Sequence, residues 1–353
     1  MNKTLIVGLA AGAALVPFAI GDARADAVAD FYAGKTITIV CPIGAGGTYD
    51  FYGRLGGEIM KKFLPGHPNY VMQYMTGAGG TLSNNYIGTV AARDGTVLVS
   101  LNANTAQTQI MRPTGVKYDV TKFAMIGLFS PMNSALTVWH TAPAKTIQDA
   151  MKTQIIIGAT GKGSYQYQLP VLLNKLAGTR FKVVPGYKSI PEENLAMERG
   201  EIHGRGGTIA SWAITEAEWV RDNKIRHLVQ VGIKRSPQFP DVPLATELVK
   251  TEAEKQMILL VSSGALLGRS LAGPPDIPAE RVKAMQAAFD TGMKDPEILD
   301  FARKQKLIVD PVSGEELAAI VKSIVATPKS IVQKVNEMLD IKDSGGGKKK
   351  KQS

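Results

Sequence analysis

The feature that most limits the fold of this chain is a recurring unit in which a β-branched run leads through a glycine-rich turn into an amphipathic segment. The first unit starts with Thr36–Cys41, continues through Gly44–Gly47 and enters Thr48–Leu64, whose apolar residues recur every four positions. The pattern starts again at Gln154–Ala159 and leads into Gln166–Leu176. Because parallel strands need a crossover connection, commonly a helix, this alternation predicts mostly parallel sheets covered by helices.

Other segments continue the alternation, and its two starts predict two sheets in the 353 residues. The remaining predicted strands are Tyr70–Met75, Thr96–Leu101, Phe181–Val184, Glu201–Arg205 and Arg226–Gly232, and long helices are predicted at Ala279–Met293, Asp295–Lys304 and Gly314–Leu339. Ligands of α/β sheets bind at the carboxyl ends of strands. The polar stretch after Leu101, with Asn102 and Asn104, is therefore a candidate binding segment.

Both ends of the chain are predicted to lie outside the folded body. Residues 1–25 have the pattern of a signal peptide, with Lys3 before the apolar run Thr4–Ile20 and a small-residue cleavage pattern ending at Ala25. Export with cleavage near Ala25 is expected, and the alternative is a membrane anchor, for which the run is short. Residues 342–353 are predicted to be a flexible, solvated tail, and four of the +10 formal charges are its lysines 348–351. Nothing in the tail resembles a nucleic-acid motif.

Composition excludes several kinds of chemistry. Cys41 is the single cysteine, so there is no intramolecular disulfide and no four-thiolate metal site. The four histidines never have the HExxH spacing, and we expect neither a metal nor a cofactor. A hydrolase that uses Cys41 or Ser270 as nucleophile is a remote alternative, because no base and orienting residue accompany either. We therefore expect a protein that is not an enzyme.

The first glycine-rich turn is a candidate anion site. Gly46 and Gly47 follow a strand, and Thr48 and Asp50 open a helix whose free N–H groups and dipole suit an anion. The alternative is a tight turn without a ligand. The turn is not a dinucleotide fingerprint, because Tyr49 stands where the third glycine belongs.

The second half repeats this arrangement and adds hydroxyl groups. The candidate ligand contacts here are Thr160, Gly161, Gly163, Ser164 and Tyr165. Two such turns could hold one anionic ligand from both sides. A phosphate-binding loop is disfavoured, since Ile156 replaces its first glycine and Gly163 replaces its hydroxyl residue.

Arg205 stands among glycines at a predicted strand end. A guanidinium there could form a bidentate pair with a carboxylate, and the alternative is an ordinary surface charge.

These residues, in this order, resemble the solute-binding receptors of tripartite tricarboxylate transporters, the Bug family. The likeness runs from about Phe31 to Asp340. The matching motifs are Pro42–Asp50, Gly77–Gly80, Arg93–Thr96, Tyr118–Phe123, Pro143–Thr146, Gly161–Ser164 and Arg235–Pro243. The resemblance implies an α/β periplasmic binding protein type II fold with two α/β lobes joined by two crossing strands. We place the crossings near Phe129–Trp139 and Met257–Gly268. Lobe 1 is then residues 26–129 and 269–341, and lobe 2 is residues 130–268.

The resemblance also implies a function. Relatives bind small carboxylates between the lobes, which favours Gly46, Gly47, Thr48 and Asp50 from lobe 1 and Thr160, Gly161, Gly163 and Ser164 from lobe 2. We expect a monomeric periplasmic receptor that closes on a di- or tricarboxylate or an aromatic acid and delivers it to membrane transporter subunits. A receptor that presents its ligand to a sensor kinase, or that binds an uncharged ligand, is the alternative.

Two departures from the family pattern concern the expected cleft. Relatives usually have an Asp-Asn-like pair where this chain has Gly207 and Thr208, and a Trp or Tyr where it has Gly268 and Arg269. We add Thr208, Arg205 and Arg269 to the expected ligand contacts, and hypothesise that the arginines favour a ligand with a second carboxylate.

Overall fold

The computed structural model describes residues 22–340, except for 163, 210, 213–215, 233–234 and 237. Its strands are β1 Thr36–Cys41, β2 Asn69–Tyr74, β3 Val97–Leu101, β4 Ala124–Leu128, β5 Ser134–Trp139, β6 Ile155–Ala159, β7 Phe181–Pro185, β8 Gly204–Thr208, β9 Ile225–Val231, β10 Ser270–Gly273 and β11 Val312–Ser313. Its α-helices are α1 Asp22–Tyr32, α2 Thr48–Phe63, α3 Thr81–Thr89, α4 Thr105–Met111, α5 Ile147–Lys152, α6 Tyr165–Leu176, α7 Ile190–Glu198, α8 Ala217–Arg221, α9 Glu252–Leu267, α10 Ala279–Gly292, α11 Pro296–Lys304, α12 Gly314–Val325 and α13 Lys329–Met338. None of the helices in these ranges combines the length and the apolar character that crossing a membrane requires. Most of the predicted signal peptide, and all of the predicted tail, lie outside the described residues.

The first sheet has the strand order β11-β4-β10-β3-β1-β2. Strands β1, β2 and β3 are parallel, as their β-branched runs and intervening helices predict, whereas β10 is antiparallel to both β3 and β4. The inward face of β1 and the apolar side of α2 are fully buried at Ile37, Ile39, Leu55 and Ile59. This packing fixes α2, and therefore the loop before it, on the sheet.

The second sheet has the order β7-β6-β8-β5-β9, with β6 parallel to β7 and β8, and β5 antiparallel to β8 and β9. Strand β8 begins three residues later than the predicted strand Glu201–Arg205. Glycine-rich sequence normally disfavours a strand interior. Here it is required, because a Cβ on Gly204 would collide with the Thr137 carbonyl oxygen of β5, and one on Gly207 would lie 2.7 Å from Trp212 Nε1.

Two connections join the sheets. The first runs from β4 to β5 through residues 129–133, as predicted. The second differs from the expected crossing strand near Met257–Gly268, because the chain there is the helix α9, which leads into β10. A capping box starts this helix: the Thr251 hydroxyl accepts the Glu254 N–H, and Glu254 accepts the Thr251 N–H. The helix packs against α6, α4, α12 and α13.

Candidate functional site

Three adjoining cavities lie between the two sheets, and Thr208, at the end of β8, lines all of them. The first has a volume of about 260 Å³, and its lining includes Asn104, Gln107, Ser134, Ser164, Tyr165 and Thr208. The second, of about 320 Å³, includes Ser130, Asn133, Ser236, Arg269 and Asp310. The third, of about 330 Å³, includes Thr48, Tyr52, Ser211, Arg269 and Lys306. The predicted residues that meet here are therefore Thr48, Asn104, Ser164, Tyr165, Thr208 and Arg269.

The first turns of two long helices border these cavities. Helix α2 begins at Thr48 beside the third cavity, and α6 begins after Ser164 beside the first. Neither helix has a side-chain cap. The residue before α2 is Gly47, and the Ser164 hydroxyl donates instead to the Gly161 carbonyl oxygen at 2.8 Å. Both turns thus keep backbone N–H groups that a side-chain cap would otherwise satisfy, which is the arrangement that binds anions.

Asp50, a predicted ligand contact, is hydrogen-bonded to the first glycine-rich turn. Its carboxylate is buried and accepts hydrogen bonds from the Gly46 N–H at 2.9 Å, the Tyr74 hydroxyl at 2.8 Å and Arg54 Nε at 3.1 Å. Burial alone would raise the pKa of Asp50, but these donors hold it below its ordinary value. Asp50 therefore shapes the Gly46–Thr48 turn, and its charge is already neutralised by the protein.

Arg205 does not reach the cleft. Its side chain is fully buried on β8, donates to Asn194 Oδ1 at 2.7 Å and to Glu216 Oε1 at 3.4 Å, and stacks 3.7 Å above the ring of Trp212. These contacts satisfy the guanidinium within the second sheet. The predicted contact between Arg205 and the ligand therefore has no support in the geometry. This burial could not be predicted from the sequence, because it depends on long-range packing.

A buried acid beside Arg205 was not anticipated. Glu193 on α7 is fully buried and accepts a hydrogen bond from Gln166 Nε2 at 3.3 Å, and its Oε1 has no hydrogen-bond partner in the described chain. Burial raises its pKa to about 7, against the opposing effect of Arg205. Gln166 also donates to the Gly206 carbonyl oxygen and accepts from Thr160. Glu193 thus underlies the second glycine-rich turn, and no motif in the sequence marks it.

Arg269 is a buried cation that faces the cleft. Its side chain is 7% exposed, lines the second and third cavities, and lies 5.2 Å from the ring of Tyr52. Within the part of the chain that the structure describes, Arg269 makes no salt bridge and its Nε has no hydrogen-bond partner. Its φ of 71° is in the left-handed region, which is unusual for a residue with a long side chain.

The other predicted contacts have supporting positions. Asn102 Oδ1 accepts the Asn104 N–H at 2.9 Å and so orients the residue that lines the first cavity. The Thr160 hydroxyl donates to Gln166 Oε1 at 3.3 Å, and the Gly161 carbonyl oxygen accepts the Ser164 hydroxyl. Burial raises the pKa of Tyr165 to about 12, which keeps its hydroxyl a donor. Gly163 lies outside the described residues. Gln107 and Ser134 also line the first cavity and were not predicted, since neither belongs to a recognisable motif.

The two nucleophile candidates have no catalytic surroundings. Cys41 is fully buried, and this burial raises the pKa of its thiol, which disfavours the reactive thiolate. The Ser270 hydroxyl is buried and donates to the Leu267 carbonyl oxygen at 2.7 Å. In the described ranges, no three His, Cys, Asp or Glu side chains converge on a position for a metal ion.

Comparison with known proteins matches residues 59–337 to the family model described as the tripartite tricarboxylate transporter family receptor. A UPF0065 protein of Agrobacterium vitis is 24% identical over 311 residues, 86% of this chain and 82% of that protein. One of Cupriavidus necator is 26% identical over 337 residues, with 93% and 95% covered.

Among solved structures, a TctC solute-binding protein from Polaromonas aligns with a TM-score of 0.67 and 21% identity, over 86% of this chain and 99% of that one. MatC of Rhodopseudomonas palustris, solved with bound malate, aligns with a TM-score of 0.54 and 22% identity over 84% and 99%. A further R. palustris protein, solved with adipate, aligns with a TM-score of 0.56 and 18% identity, over 87% of this chain and 97% of that one. These alignments confirm the predicted fold class.

Proposed function

Because the chain belongs to the family of tripartite tricarboxylate transporter receptors, we propose that it is a periplasmic solute-binding protein that captures a small carboxylate and delivers it to the membrane subunits of such a transporter. Membership confirms the resemblance found in the sequence. The family consists of receptors, so the expectation that the chain is not an enzyme is confirmed as well. The signal peptide, the periplasmic location, the monomeric state and the delivery step are parts of the proposal.

The observation that carries the proposal is the set of groups around Thr208. Two helix first turns without side-chain caps and one buried cation border adjoining cavities, and this combination favours a negatively charged ligand. Each helix N-terminus contributes about 0.3–1 kcal/mol to binding an anion. A micromolar dissociation constant needs about 8 kcal/mol, so amides from both sheets and the arginine must act on one molecule.

Capture by closure follows from where these groups lie. Thr48 and Arg269 belong to the first sheet and its helices, whereas Ser164, Tyr165 and Thr208 belong to the second. A carboxylate that contacts both groups is bound completely only when the sheets approach each other, so binding favours the closed arrangement. Malate and adipate, found in the two R. palustris structures, are dicarboxylates, which supports carboxylates as the ligand class.

A ligand screen tests the proposal. The purified protein is unfolded, dialysed and refolded to remove any ligand acquired during expression, and its melting temperature is measured with mono-, di- and tricarboxylic, aromatic and neutral compounds. A ligand of the native state raises the melting temperature with dose, by an amount set by its concentration and affinity. We expect acids to do so and the corresponding amides to have no effect. A stabilising neutral compound, with no response to any acid, would contradict the proposal.

Transport requires a second measurement, since a receptor for a sensor kinase would bind the same ligand. Uptake of the radiolabelled acid by cells that carry the membrane subunits is compared with and without the receptor. Uptake that depends on the receptor supports delivery. Uptake that is unchanged, when the acid binds, would assign the receptor to another partner.

A further inference from the structure

We propose that Arg269 determines ligand specificity, selecting a molecule with two acidic groups by pairing with the second while the first turn of α6 holds the first. This inference rests on the proposed function, because it concerns the same cleft. Beyond the proposed function, the inference specifies that the ligand has two acidic groups and names the residue that selects such a ligand.

The first observation is a buried positive charge that the protein leaves without a counterion. Arg269 is 93% removed from solvent, yet no described carboxylate forms a salt bridge with it. A buried charge without a partner is strongly unfavourable, and a guanidinium stays charged at any physiological pH. The neighbouring aromatic ring of Tyr52 compensates only in part, as a cation–π contact. An anionic group of the ligand completes this site.

The second observation is the composition of the two cavities that Arg269 lines. Asp310 borders the second cavity and makes no salt bridge with Arg269, and its backbone N–H donates to the Phe129 carbonyl oxygen at 3.0 Å. The third cavity adds Lys306 and the first turn of α2 at Thr48, both of which favour negative charge. The lining of the third cavity thus includes two cations and no described acidic side chain, so an acid placed there beside Arg269 meets favourable groups.

The third observation is that the first acidic group has a separate place. The first turn of α6 and the side chains of Asn104 and Tyr165 border the first cavity, which Arg269 does not line. Thr208 lies between, in the lining of every cavity. A ligand that reaches both places has acidic groups at its two ends. A monoacid can use only one of them.

The backbone prevents Arg269 from leaving this position. Its carbonyl oxygen accepts the Phe129 N–H at 3.0 Å, which ties the start of β10 to the end of β4. The φ of Arg269 is 71°, in the left-handed region. Strained conformations of this kind persist where the surroundings hold them, and they concentrate at functional sites. Arg205 cannot take over, because Asn194 and Glu216 already occupy it.

The test compares each diacid with a matched monoacid. Refolded wild-type protein, Arg269→Met, Arg269→Gln, Arg269→Lys and the control Lys283→Met are titrated by calorimetry with succinate, glutarate, adipate and terephthalate, and with the monomethyl ester of each. Lys283 on α10 is exposed and lines none of the three cavities, so the control removes a cation that lies outside the cleft. Circular dichroism and melting temperature establish that each variant is folded.

We expect wild-type protein to bind its best diacid about 10- to 100-fold more tightly than the monoester, the effect of one charge-assisted pair. Arg269→Met and Arg269→Gln should abolish this ratio and leave monoester affinity within about threefold, Arg269→Lys should keep part of it, and Lys283→Met should keep all of it. A ratio that survives in folded Met or Gln variants, or wild-type protein that binds monoacids equally well, overturns the inference while the proposed function stands. Wild-type protein that binds no acid contradicts the proposed function itself.

Discussion

The ionisation of Glu193 affects the stability of the folded protein between pH 5 and 8. Its ordinary pKa is 4.5, and burial in the second sheet raises it to about 7. The folded chain therefore retains a proton that the unfolded chain loses as the pH rises from 4.5 to 7. The contribution to stability is complete below the lower value and is lost as the pH passes the higher one.

Glu193→Gln, which imitates the protonated acid, removes this loss. Measured by urea unfolding, the free energy of unfolding of the variant relative to wild type should rise by about 1–3 kcal/mol between pH 5 and pH 8. Glu198→Gln, an exposed change on the same helix, is the control and should parallel wild type. Parallel pH profiles for Glu193→Gln and wild type would show that the acid is already ionised in the folded protein.

We expect Arg269 to lower the stability of the empty protein and to strengthen its binding of a diacid. Without ligand, its buried charge has no counterion in the described chain, so Arg269→Met should raise the free energy of unfolding of the empty protein by about 1–3 kcal/mol. The same variant should gain less melting temperature than wild type when a diacid is added. Thermal unfolding of refolded protein, with and without the acid, measures both effects. A variant that is less stable when empty would show that packing of the long side chain outweighs its charge.

Sequence distinguishes these side chains only in part. Thr48 and Ser164 were predictable as cleft residues because a strand, a glycine turn and a helix start are local patterns. Arg205 and Arg269 look equivalent in sequence, since each lies next to glycine at the edge of a strand. Their difference arises from packing: Glu216 and Asn194 reach Arg205 from distant elements, and no described carboxylate reaches Arg269.

At the scale of elements, β8 depends on glycine for its pairing with β5. A methyl group on Gly204 would collide with the Thr137 carbonyl oxygen, and this atom belongs to the backbone of the neighbouring strand. Gly204→Ala should therefore lower the free energy of unfolding by about 2–4 kcal/mol, as overpacking does in a core. Gly161→Ala is the matched control. Its Cβ would meet nothing within 4 Å, so we expect a change of no more than about 0.5 kcal/mol by urea unfolding. Equal stability of the two variants would mean that β8 can move away from β5.

The same strand shows where element prediction succeeds and fails. The β-branched run of β1 marked it to the residue, because its side chains pack on both faces. The strand predicted at β8 was placed three residues too early. The position of β8 depends on how closely the backbone of β5 approaches it, and no local sequence pattern shows this. Helix α9 carried a local signal, the spacing of Thr251 and Glu254, but the resemblance implied a crossing strand there. Pro328 divides the predicted helix Gly314–Leu339 into α12 and α13 for the reason that proline lacks an N–H.

At the scale of the molecule, both connections between the sheets converge on one point. The Phe129 N–H donates to the Arg269 carbonyl oxygen, and the Phe129 carbonyl oxygen accepts the Asp310 N–H, each at 3.0 Å. These few residues are therefore the candidate hinge for the closure proposed above. If the proposed closure occurs about these residues, a ligand that pairs with Arg269 binds beside the hinge, and its charge is expected to couple to the closing motion.

A side-chain hydrogen bond also joins the two halves of the molecule at a distance from these residues. Gln107 Nε2 on α4 donates to Gln168 Oε1 on α6 at 3.3 Å, which joins helices that cover different sheets. If this bond forms when the cleft closes, its loss should raise the dissociation rate of any bound acid, monoacid or diacid alike. Net hydrogen bonds contribute about 0.5–1.5 kcal/mol, which corresponds to about 2- to 10-fold.

A double-mutant cycle isolates this bond, which matters because Gln107 also lines the first cavity. Dissociation rates are measured by stopped flow for Gln107→Ala, Gln168→Ala and the double variant. The two changes should be less than additive by the stated amount, because either one already removes the bond. Strict additivity would show that the helices do not cooperate in holding the ligand. The Arg269 variants differ in kind, since their effect depends on the charge of the acid, whereas a contact across the cleft acts on every ligand that closes it.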